Sequence, residues 1–502
     1  MRTMTLPRLT AASTPPAALM HHRGPLETGI VHLGLGNFHR AHQAVYTAAA
    51  LAAQDGPWGI AGVASRSARI ADSLREQDFR YGTVQISPAG TTVEVPAVHT
   101  AALVAATQPD AVLDAIAAPG TRIVTLTVTE HGYTYSPVTH RLDLDHPGVR
   151  GDLAGAPPST TIGQIARGLQ RRVRAGGAPI TVLSCDNLTA NGEHTGRLVR
   201  EFVAALPAAE SAELSSYLDT AVRFPNCMVD RIVPATTDRY RQDVARALGV
   251  RDEIPVPAEP FTMWVLEDDF IAGRPAWEHG GAVFSDDVEA YELLKLRLLN
   301  GTHSLIAYLG ALDERAIIPD AVAQPFVEQA ARSVLVEDYL PSVRVPADVD
   351  LDGYVAQLFQ RWSNTALGHG THQVGSDGSV KLAQRIPEPA RLHLDRGRMP
   401  HHLALTVAAY LQCIAPPAGF EPGRYAAAMS DPARPALADL AAAQPAPQPF
   451  VQAVLDTGLL GTDLAGHREF VDRVAEFRTI LTTHGSSAAA AEAASAGLAV
   501  SA

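Results

Sequence analysis

Lysine is almost missing from this chain of 502 residues. Of its 40 Lys and Arg residues only Lys295 and Lys381 are lysines, which leaves 38 arginines. Arginine stays protonated in proteins, whereas a buried or crowded lysine can give up its proton. A chain that otherwise uses arginine for positive charge therefore marks its lysines as candidates for proton transfer or close ligand contact. The competing explanation is a codon bias that left two lysines by accident.

Cysteine is also scarce, and long apolar runs are missing. Cys185, Cys227 and Cys413 are odd in number and widely spaced, which argues against a disulfide framework and a CxxC zinc site. No apolar run is long enough to span a membrane, and a net charge of −13 without a basic run argues against a nucleic-acid partner. We expect a cytoplasmic protein without a metal site, a monomer or small homo-oligomer.

Composition and hydrophobic spacing divide the chain into four segments. Residues 1–28 contain several prolines and lack the apolar core of a signal peptide, so we predict a mobile arm. Residues 29–285 alternate predicted strands and helices, and residues 286–484 are mainly helical in pattern. Residues 485–502 are low in complexity and are interpreted as a frayed tail. Within the helical part, residues 431–449 are rich in Pro and Ala and predict a loop.

The surroundings of Lys295 favour a chemical role for it. Residues 291–303 read YELLKLRLLNGTH, whose spacing predicts a helix that ends or bends near Gly301. On a helix of 3.6 residues per turn, Lys295 and His303 lie about 80° apart, and residues three or four apart share a face. One side then carries a carboxylate, an amine, an amide and an imidazole: Glu292, Lys295, Asn300 and His303.

Such a face suits proton transfer from an alcohol. The amine of Lys295 is the candidate general base, while an amide and an imidazole hold the oxygen. The same residues contain an alternative candidate for the general base. Tyr291 and Lys295 have the YxxxK spacing of enzymes in which the tyrosine is the base. It lies outside the predicted nucleotide-binding part, so we interpret it as coincidence. Lys381 is either a contact to substrate or a surface lysine.

A dinucleotide-binding pattern stands near the N-terminus. Residues 29–33, GIVHL, predict a buried strand that leads through GLGNFHR into a helical run. Strand, glycine pair and helix form the layout that brings a pyrophosphate to a helix N-terminus, although the third glycine of GxGxxG is missing. A chance GxG is the alternative. The predicted cofactor contacts here are Gly34, Gly36, Asn37, Phe38 and Arg40.

The ends of three further predicted strands carry polar residues. Such ends face the ligand crevice of a parallel sheet. After the strand at 58–65 comes Arg66, in a loop that extends to Arg69 without an acid; such a loop suits the 2′-phosphate of NADP as well as a solvated surface. The strand at 122–128 leads to Glu130. The strand beginning at 180 leads to Asn187 and Asn191, which either bind a ligand or shape a turn.

These features together predict the fold class. We expect an α/β protein, with a Rossmann-type doubly wound sheet in the N-terminal half and a mainly α-helical domain after it.

At this point the sequence resembles the polyol-specific long-chain dehydrogenases, which include mannitol 2-dehydrogenase, arabinitol 4-dehydrogenase, and fructuronate and tagaturonate reductases. The resemblance covers residues 29–484. The segments that carry it are GLGNFHRAHQA, TLTVTEHGY, SCDNLTANG, FPNCMVDRIVP, WVLEDDF, AGRPAW and KLRLLNGTH. It implies metal-independent hydride transfer between NAD, or NADP, and a small polyol, ketose or sugar acid.

The resemblance also assigns residues. It implies that Lys295 is the base, that Asn191 and Asn300 orient the reacting oxygen and the lysine, and that His303 contacts substrate. Glu292 matches a carboxylate beside the proton exit. The implied substrate-binding positions are Asp230, Lys381 and Gln373.

Two departures leave the substrate and the cofactor open. Gln373 stands where the resemblance implies an arginine in mannitol dehydrogenases, and residues 372–385 look more like the fructuronate reductase branch. Yet residues 368–371, GHGT, lack the arginines of that branch. The second departure is the loop from Arg66 to Arg69, which lacks the acids that the resemblance implies in mannitol dehydrogenases and leaves NADP open. We therefore expect a polyol–ketose oxidoreductase of mannitol/fructose type. The alternatives are a fructuronate reductase, a mannitol-1-phosphate 5-dehydrogenase and a non-catalytic dinucleotide sensor.

Overall fold

A computed structural model describes residues 6–136, 139–461 and 463–500, with side chains up to residue 496. The chain forms two compact units, Met1–Glu289 and Ala290–Ala502. The sequence boundary was drawn near residue 285, in front of the helix that leads to Lys295. Each unit has its own hydrophobic core.

The first unit is organised around a parallel sheet of six strands. The strands of this unit are β1 Thr28–Leu33, β2 Gly59–Ala64, β3 Thr83–Ser87, β4 Gly90–Glu94, β5 His99–Val104, β6 Ile123–Leu126, β7 Ile180–Ser184, β8 Val222–Arg223, β9 Cys227–Asp230, β10 Val256–Ala258, β11 Met263–Leu266 and β12 Val283–Phe284. The main sheet has the order β5-β2-β1-β6-β7-β8, and all its pairs are parallel. Counted along the sheet, this is the 3-2-1-4-5-6 order of dinucleotide-binding folds.

Helices cover both faces of this sheet. They are α1 Asn37–Ala41, α2 Gln43–Ala53, α3 Arg69–Glu76, α4 Pro109–Ala117, α5 Pro147–Leu153, α6 Thr161–Arg174, α7 Asn191–Ala204, α8 Ala208–Ala221 and α9 Asp238–Leu248. In β1 the side chains alternate, so Val31 and Leu33 pack with α4 and α6–α8, whereas Ile30 packs with α2 on the other face. Because both faces are covered, the strands are buried along their length, and the predicted doubly wound sheet is confirmed.

The second unit is mainly helical, as predicted. Its helices are α10 Val288–Leu294, which contains the boundary between the units, α11 Thr302–Leu312, α12 Ile318–Val322, α13 Pro325–Ser333, α14 Leu351–Trp362, α15 Thr371–Gly375, α16 Gly378–Arg385, α17 Pro387–Leu394, α18 His401–Ile414, α19 Arg424–Ala427, α20 Arg434–Ala443, α21 Pro447–Asp456 and α22 Arg468–Val500. Helix α18 is buried on every side, and α11, α13, α21 and α22 pack around it or around each other. None of the described helices is both long and apolar enough to cross a membrane.

The predicted mobile arm needs correction where the structure describes it. Leu9 is fully buried, and its N–H donates to the carbonyl of Arg251 over 2.9 Å. Further along, Val95 donates to the carbonyl of Ala18 over 2.7 Å. These backbone bonds attach the arm to the first unit, which proline content alone did not reveal. Residues 1–5 of the arm lie outside the described part of the chain.

Two predictions of irregular structure in the second unit are wrong for the described residues. Residues 434–443 form α20 instead of a loop, since alanine is a strong helix former. The tail after residue 485 continues as helix beyond a kink at Gly485, whose φ is +82°. Ala489 and Ala493 are fully buried in the core, because small side chains allow this helix to pack closely. Residues 501–502 lie outside the described part.

The helix that carries Lys295 does not end near Gly301. Between α10 and α11, Lys295–Gly301 forms a π-helical segment, so helical structure continues from residue 288 to residue 312. Gly301 is buried, and a Cβ built on it would lie 2.4 Å from Cζ of Tyr339. This glycine therefore permits close packing inside the helix and does not terminate it.

The contact of Gly301 gives a test of this packing. We expect Gly301→Ala to destabilise the protein by about 1–3 kcal/mol, because the new methyl group forces the Tyr339 ring aside. Urea unfolding at pH 7 measures the change. The matched control is Gly466→Ala, where a Cβ meets no atom within 4 Å. A wild-type unfolding midpoint for Gly301→Ala would contradict the tight packing.

Candidate active site

The glycine turn after β1 has the geometry that its sequence predicts. Gly34 has φ +104°, and a Cβ on it would lie 2.0 Å from the carbonyl oxygen of Thr127. Its N–H and that of Leu35 donate to the carbonyl of Val63 over 2.9 and 3.0 Å. Around Gly36, a Cβ would meet only the Gly34 oxygen, at 3.6 Å. The turn is fixed on its strand side and open at Gly36, which suits the approach of a phosphate to the backbone.

A stack of histidines occupies the place of the missing third glycine. His39 stands at that position, and its ring lies 3.4 Å from the ring of His32 in β1, nearly parallel to it. Its Nε2 is 3.1 Å from Nε2 of His99. Burial lowers the pKa of His32 and of His99 to about 3, and that of His39 well below its ordinary value. The three rings are neutral at pH 7, so His39 adds no charge to a phosphate site.

Two of the residues that follow Gly36 interact within the protein. Asn37 donates through Nδ2 to the carbonyl of Pro234 and to the hydroxyl of Thr236, over 3.4 and 3.3 Å. The partly buried ring of Phe38 stacks on His42 at 4.9 Å. Both residues secure the start of α1, and their contact with a cofactor stays a prediction.

Arg40 requires a correction. Its side chain is fully buried, and the guanidinium donates to the carbonyls of Gly36 and Ile254 and to Oδ1 of Asn37 over 3.2, 2.5 and 2.8 Å. It lies beneath α1 and braces the turn from inside, so it does not present its charge to a phosphate. The sequence places Arg40 beside the glycine turn but does not show that its side chain points into the protein.

The loop after β2 is exposed from Ser65 to Arg69. It contains Arg66 and Arg69 and no carboxylate. The first acid beyond it, Asp72, forms an ion pair with Arg75 on α3 at 2.7 Å. This strand end therefore offers positive charge and hydroxyl groups where NAD-binding sites usually carry an acid.

A buried carboxylate orders the next two strand ends. Asp186, just after β7, accepts hydrogen bonds from the backbone N–H groups of Val128 and Thr129 over 3.0 and 2.8 Å. It also accepts one from the hydroxyl of Tyr133 over 2.7 Å. Glu130 and Asn187 are exposed beside this network. The sequence singled out these two exposed residues, whereas the neighbouring Asp186 and Tyr133 hold the loops in place.

Asn191 and Asp230 are linked through β9. Asn191 is fully buried, and its Nδ2 donates to the carbonyls of Asp186 and Cys227 over 3.0 and 2.7 Å. Its Oδ1 accepts from the N–H of Cys227 over 3.0 Å. Both amide hydrogens are thus engaged, and Asn191 braces the strand that ends at the buried Asp230. A direct contact of either residue with substrate stays a prediction.

In the second unit, the π-helical segment changes which residues share a face. The single face expected from α-helical spacing needs correction, because in an α-helix Lys295 and Asn300 would lie about 140° apart. The i→i+5 bonding of a π-turn instead places residue i+5 above residue i. Lys295 and Asn300 begin and nearly end this segment, both partly buried, and His303 follows in the first turn of α11. Glu292 lies one turn before Lys295 on α10.

A partly buried arginine that the sequence did not single out contacts Asn300. Nη1 of Arg385, at the end of α16, donates to the backbone carbonyl of Asn300 over 2.9 Å and to Oγ of Ser304 over 2.7 Å. Burial lowers the pKa of Arg385, with partial compensation from Tyr308 and Tyr339. No sequence signal pointed to it, because 85 positions separate it from Asn300.

The remaining predicted residues of this unit lie around α15 and α16. The ammonium of Lys381 donates to the carbonyls of Val374 and Ser376 over 3.2 and 2.6 Å, and burial lowers its pKa. Gln373 accepts a hydrogen bond from the N–H of Gly370 over 3.1 Å. Lys381 is therefore not the free surface lysine of the alternative interpretation, and Gln373 caps its own helix.

The tyrosine of the YxxxK rival is engaged elsewhere. Tyr291 is only 2% exposed, and its hydroxyl donates to the carboxylate of Asp348. A phenol bound to a carboxylate is held in its protonated form, which disfavours it as a base. Among the described residues, no group of three or more His, Cys, Asp or Glu side chains is arranged to hold a metal ion.

Comparison with known proteins identifies the family. A model of the mannitol dehydrogenase Rossmann domain matches residues 28–279, and one of the mannitol dehydrogenase C-terminal domain matches residues 287–479. The chain belongs to the mannitol dehydrogenase family. The segments that suggested the resemblance thus mark a relationship that extends over both units of this family member.

Named relatives of this family member act on different substrates. D-mannonate oxidoreductase of Escherichia coli is 40% identical over 77% of this chain and 80% of its own length. Mannitol 2-dehydrogenase of Cereibacter sphaeroides is 39% identical over 78% of this chain and 81% of its own length. The structure of Pseudomonas fluorescens mannitol 2-dehydrogenase in complex with NAD and D-mannitol superposes with a TM-score of 0.82 at 33% identity, covering 97% of this chain and 99% of that one.

The histidine stack predicts an acid-sensitive first unit. An unfolded histidine has a pKa near 6.5, so the unfolded state binds more protons than the folded state below that pH. The contribution of these histidines to the free energy of unfolding is therefore fully present above pH 6.5 and is lost as the pH falls toward 3. At pH 5 this amounts to about 2 kcal/mol for each of His32 and His99.

Urea unfolding at pH 7 and pH 5 measures this effect. We expect His99→Gln to reduce the loss of stability between the two pH values by about 2 kcal/mol relative to the wild type. The exposed His131 supplies the control, since His131→Gln should leave the loss unchanged. An equal pH dependence in all three proteins would show that His99 does not stay neutral in the fold.

Proposed function

We propose that this chain is an NAD(P)-dependent oxidoreductase that interconverts a polyol and a ketose, with Lys295 as the general base. The observation that carries the proposal is the π-helical segment of a mannitol dehydrogenase family member, which begins with Lys295 and holds Asn300 one π-turn later. An amine, an amide and an imidazole follow one another on a single continuous helix. This set removes a proton from an alcohol and stabilises the oxygen left behind.

Each of these residues has a separate role in the proton transfer. In oxidation the amine of Lys295 takes the proton of the reacting hydroxyl, and in reduction its ammonium returns the proton. The amide of Asn300 donates to the same oxygen and stabilises the partial negative charge on it, an effect whose loss typically costs about a hundredfold or more in rate. Arg385 fixes the backbone of Asn300 and thereby the direction of that amide. Glu292, one turn away, passes the proton toward solvent.

The first unit supplies the cofactor site. Gly34, Gly36 and the backbone N–H groups at the start of α1 would hold the pyrophosphate, because the turn is fixed on its strand side and open at Gly36. A nicotinamide cofactor held by this turn would supply the hydride-transfer chemistry. Asp186 and Asn191 position the loops at the ends of β6, β7 and β9. NAD is the expected cofactor, since the related Pseudomonas enzyme was solved with it.

The loop after β2 extends the cofactor range to NADP. Exposed Arg66 and Arg69 suit a 2′-phosphate through charge-assisted hydrogen bonds. The same loop lacks the acid that would repel this phosphate.

A sugar acid is the second candidate substrate. After burial and the neighbouring His369, the groups that lower the pKa of His303 are the cations Arg385, Arg361 and Lys381. Such surroundings favour a carboxylate, and D-mannonate oxidoreductase is among the relatives. Gln373, where the resemblance implies an arginine, reduces the positive charge and favours the neutral polyol. The same charges would suit a sugar phosphate.

We place the reaction in the cytoplasm, because the three cysteines are buried free thiols. The substrate is a small molecule in every version of the proposal. A monomer or small homo-oligomer stays the expectation for its assembly.

Replacement of Lys295 tests the mechanism. We expect Lys295→Ala to lower kcat by about two to four orders of magnitude, because the step loses its base. Its Kd for NAD, measured by fluorescence, should stay unchanged, since the glycine turn lies in the first unit. Added small primary amines should restore part of the activity, which a purely structural defect would not allow.

The control and the substrate panel complete this experiment. Tyr291→Phe should keep a near-normal rate; an inactive Tyr291→Phe beside an active Lys295→Ala would support the tyrosine rival. Wild-type protein is first assayed with mannitol, arabinitol and mannonate, each with both cofactors. Turnover of mannonate alone would replace the polyol proposal with the sugar acid, and no turnover of any would refute both.

Replacement of the β2 loop arginines tests the cofactor range. We expect the double variant Arg66→Ala, Arg69→Ala to lose about tenfold or more in kcat/KM with NADP, since a charge-assisted hydrogen bond contributes about 1.5–3 kcal/mol. The value with NAD should change little. The exposed Arg150→Ala on α5 serves as the matched control. An equal loss with both cofactors would argue against contact with the 2′-phosphate.

A further inference from the structure

His369 lies directly beside His303 in the second unit. It precedes α15, and its carbonyl accepts a hydrogen bond from the N–H of Ile318 over 3.0 Å. Its ring meets the ring of His303 edge-on, with centroids 5.3 Å apart and planes at 85°. The ring of Trp362, at the end of α14, also lies near His303, with the two ring centroids 6.2 Å apart. Two imidazoles and an indole thus form one cluster.

Four of the five ring nitrogens in this cluster are buried without a hydrogen-bond partner in the described part of the chain. Both ring nitrogens of His369 and Nε2 of His303 are buried without a hydrogen bond to any described residue. Buried polar atoms without a partner are rare, because each costs about 1–3 kcal/mol. His393, in the same unit, has a partner, since its Nε2 lies 2.9 Å from the carbonyl of Asp338, whereas the buried His402 has none at either ring nitrogen among the described residues. His303 and His369 differ from His402 in that their two rings meet directly beside the π-helical segment. The concentration of unsatisfied imidazole nitrogens therefore points to a ligand.

The protonation state indicates which ligand groups fit. Burial lowers the pKa of His369 to about 4, with a smaller contribution from Arg361. Burial also lowers that of His303 well below its ordinary value, with contributions from His369 and the nearby cations. Both rings are neutral at pH 7, and each then offers one donor and one acceptor. A hydroxyl group donates and accepts, so two neighbouring sugar hydroxyls match two neutral imidazoles.

The loop that carries His369 is held firmly. The N–H of Thr371 donates to the carbonyl of Ala316 over 3.0 Å, and its hydroxyl donates to the carbonyl of Arg315 over 2.7 Å. The N–H of Gly370 donates to Oε1 of Gln373 over 3.1 Å. Gln373 thus fixes the backbone next to His369, so the imidazole is positioned in advance of binding.

We propose that His369 is a substrate-binding residue that takes a sugar hydroxyl next to the one bound by His303. The inference rests on the proposed function, because it requires that the face of Asn300 and His303 receives the substrate. It adds a recognition group in a chain that has Gln373 where the resemblance to mannitol dehydrogenases implies an arginine. Substrate recognition in this chain then depends on neutral imidazoles that form hydrogen bonds with hydroxyl groups along the carbon chain of the substrate.

The test replaces His369 by a side chain of similar size without hydrogen-bonding atoms. We expect His369→Leu to raise KM for the best polyol of the panel about tenfold, the effect of one lost hydrogen bond of about 1.4 kcal/mol. We expect kcat to stay within about threefold and the Kd for NAD to stay unchanged. His369→Gln, which keeps a donor and an acceptor, should recover part of the KM. The exposed His484→Leu is the matched control.

Deoxygenated polyols give the sharper measurement. For the analogue that lacks the hydroxyl bound by His369, wild type and His369→Leu should have equal KM, whereas analogues lacking other hydroxyls should keep the tenfold difference. A tenfold difference for every analogue, or a wild-type KM for His369→Leu on every substrate, would overturn the inference. A loss confined to kcat would overturn it as well. Inactivity of the wild type on all substrates would instead refute the proposed function.

Discussion

The π-helical segment from Lys295 to Gly301 is the constraint on which the candidate site depends. In a regular α-helix the amine and the amide would point to different sides, because five residues correspond to about 140°. The wider turn brings them to one side. Tyr339, packed against Gly301, and Arg385, bonded to the carbonyl of Asn300, support this segment from other helices. The chemistry of one short stretch is thus determined by residues far from it in sequence.

In the first unit, histidine and arginine side chains pack helix α1 against strand β1 at the glycine turn. Dinucleotide-binding turns commonly use a third glycine to bring helix and strand together. Here His39 occupies that position, and its ring stacks on His32 at 3.4 Å. Arg40, buried beside it, binds the carbonyl of Gly36 from below. The turn therefore keeps its open side for a phosphate, while aromatic stacking and a buried guanidinium replace a close glycine contact.

Buried cations recur through both units and shape the chemistry of their neighbours. Arg40 braces a turn, Arg385 holds a helix carbonyl, and Lys381 binds two carbonyls of its own loop. In the second unit burial keeps the imidazoles of His303 and His369 neutral, with contributions from Arg385 and Lys381 at His303 and from Arg361 at both rings. In this lysine-poor chain arginine supplies the structural charge, while Lys295 is partly buried and Lys381 is held by two backbone carbonyls.

The sequence by itself determined four strands of the main sheet, the glycine turn, and the motif of Lys295, Asn300 and His303, because these depend on local spacing and residue type. It did not determine that the helix continues through Gly301, that Arg40 is buried, or that Arg385 contacts Asn300 and His369 contacts His303. The helical tail was missed for the same reason. Each of these depends on side chains distant in sequence, and only the tertiary structure decides which of them meet.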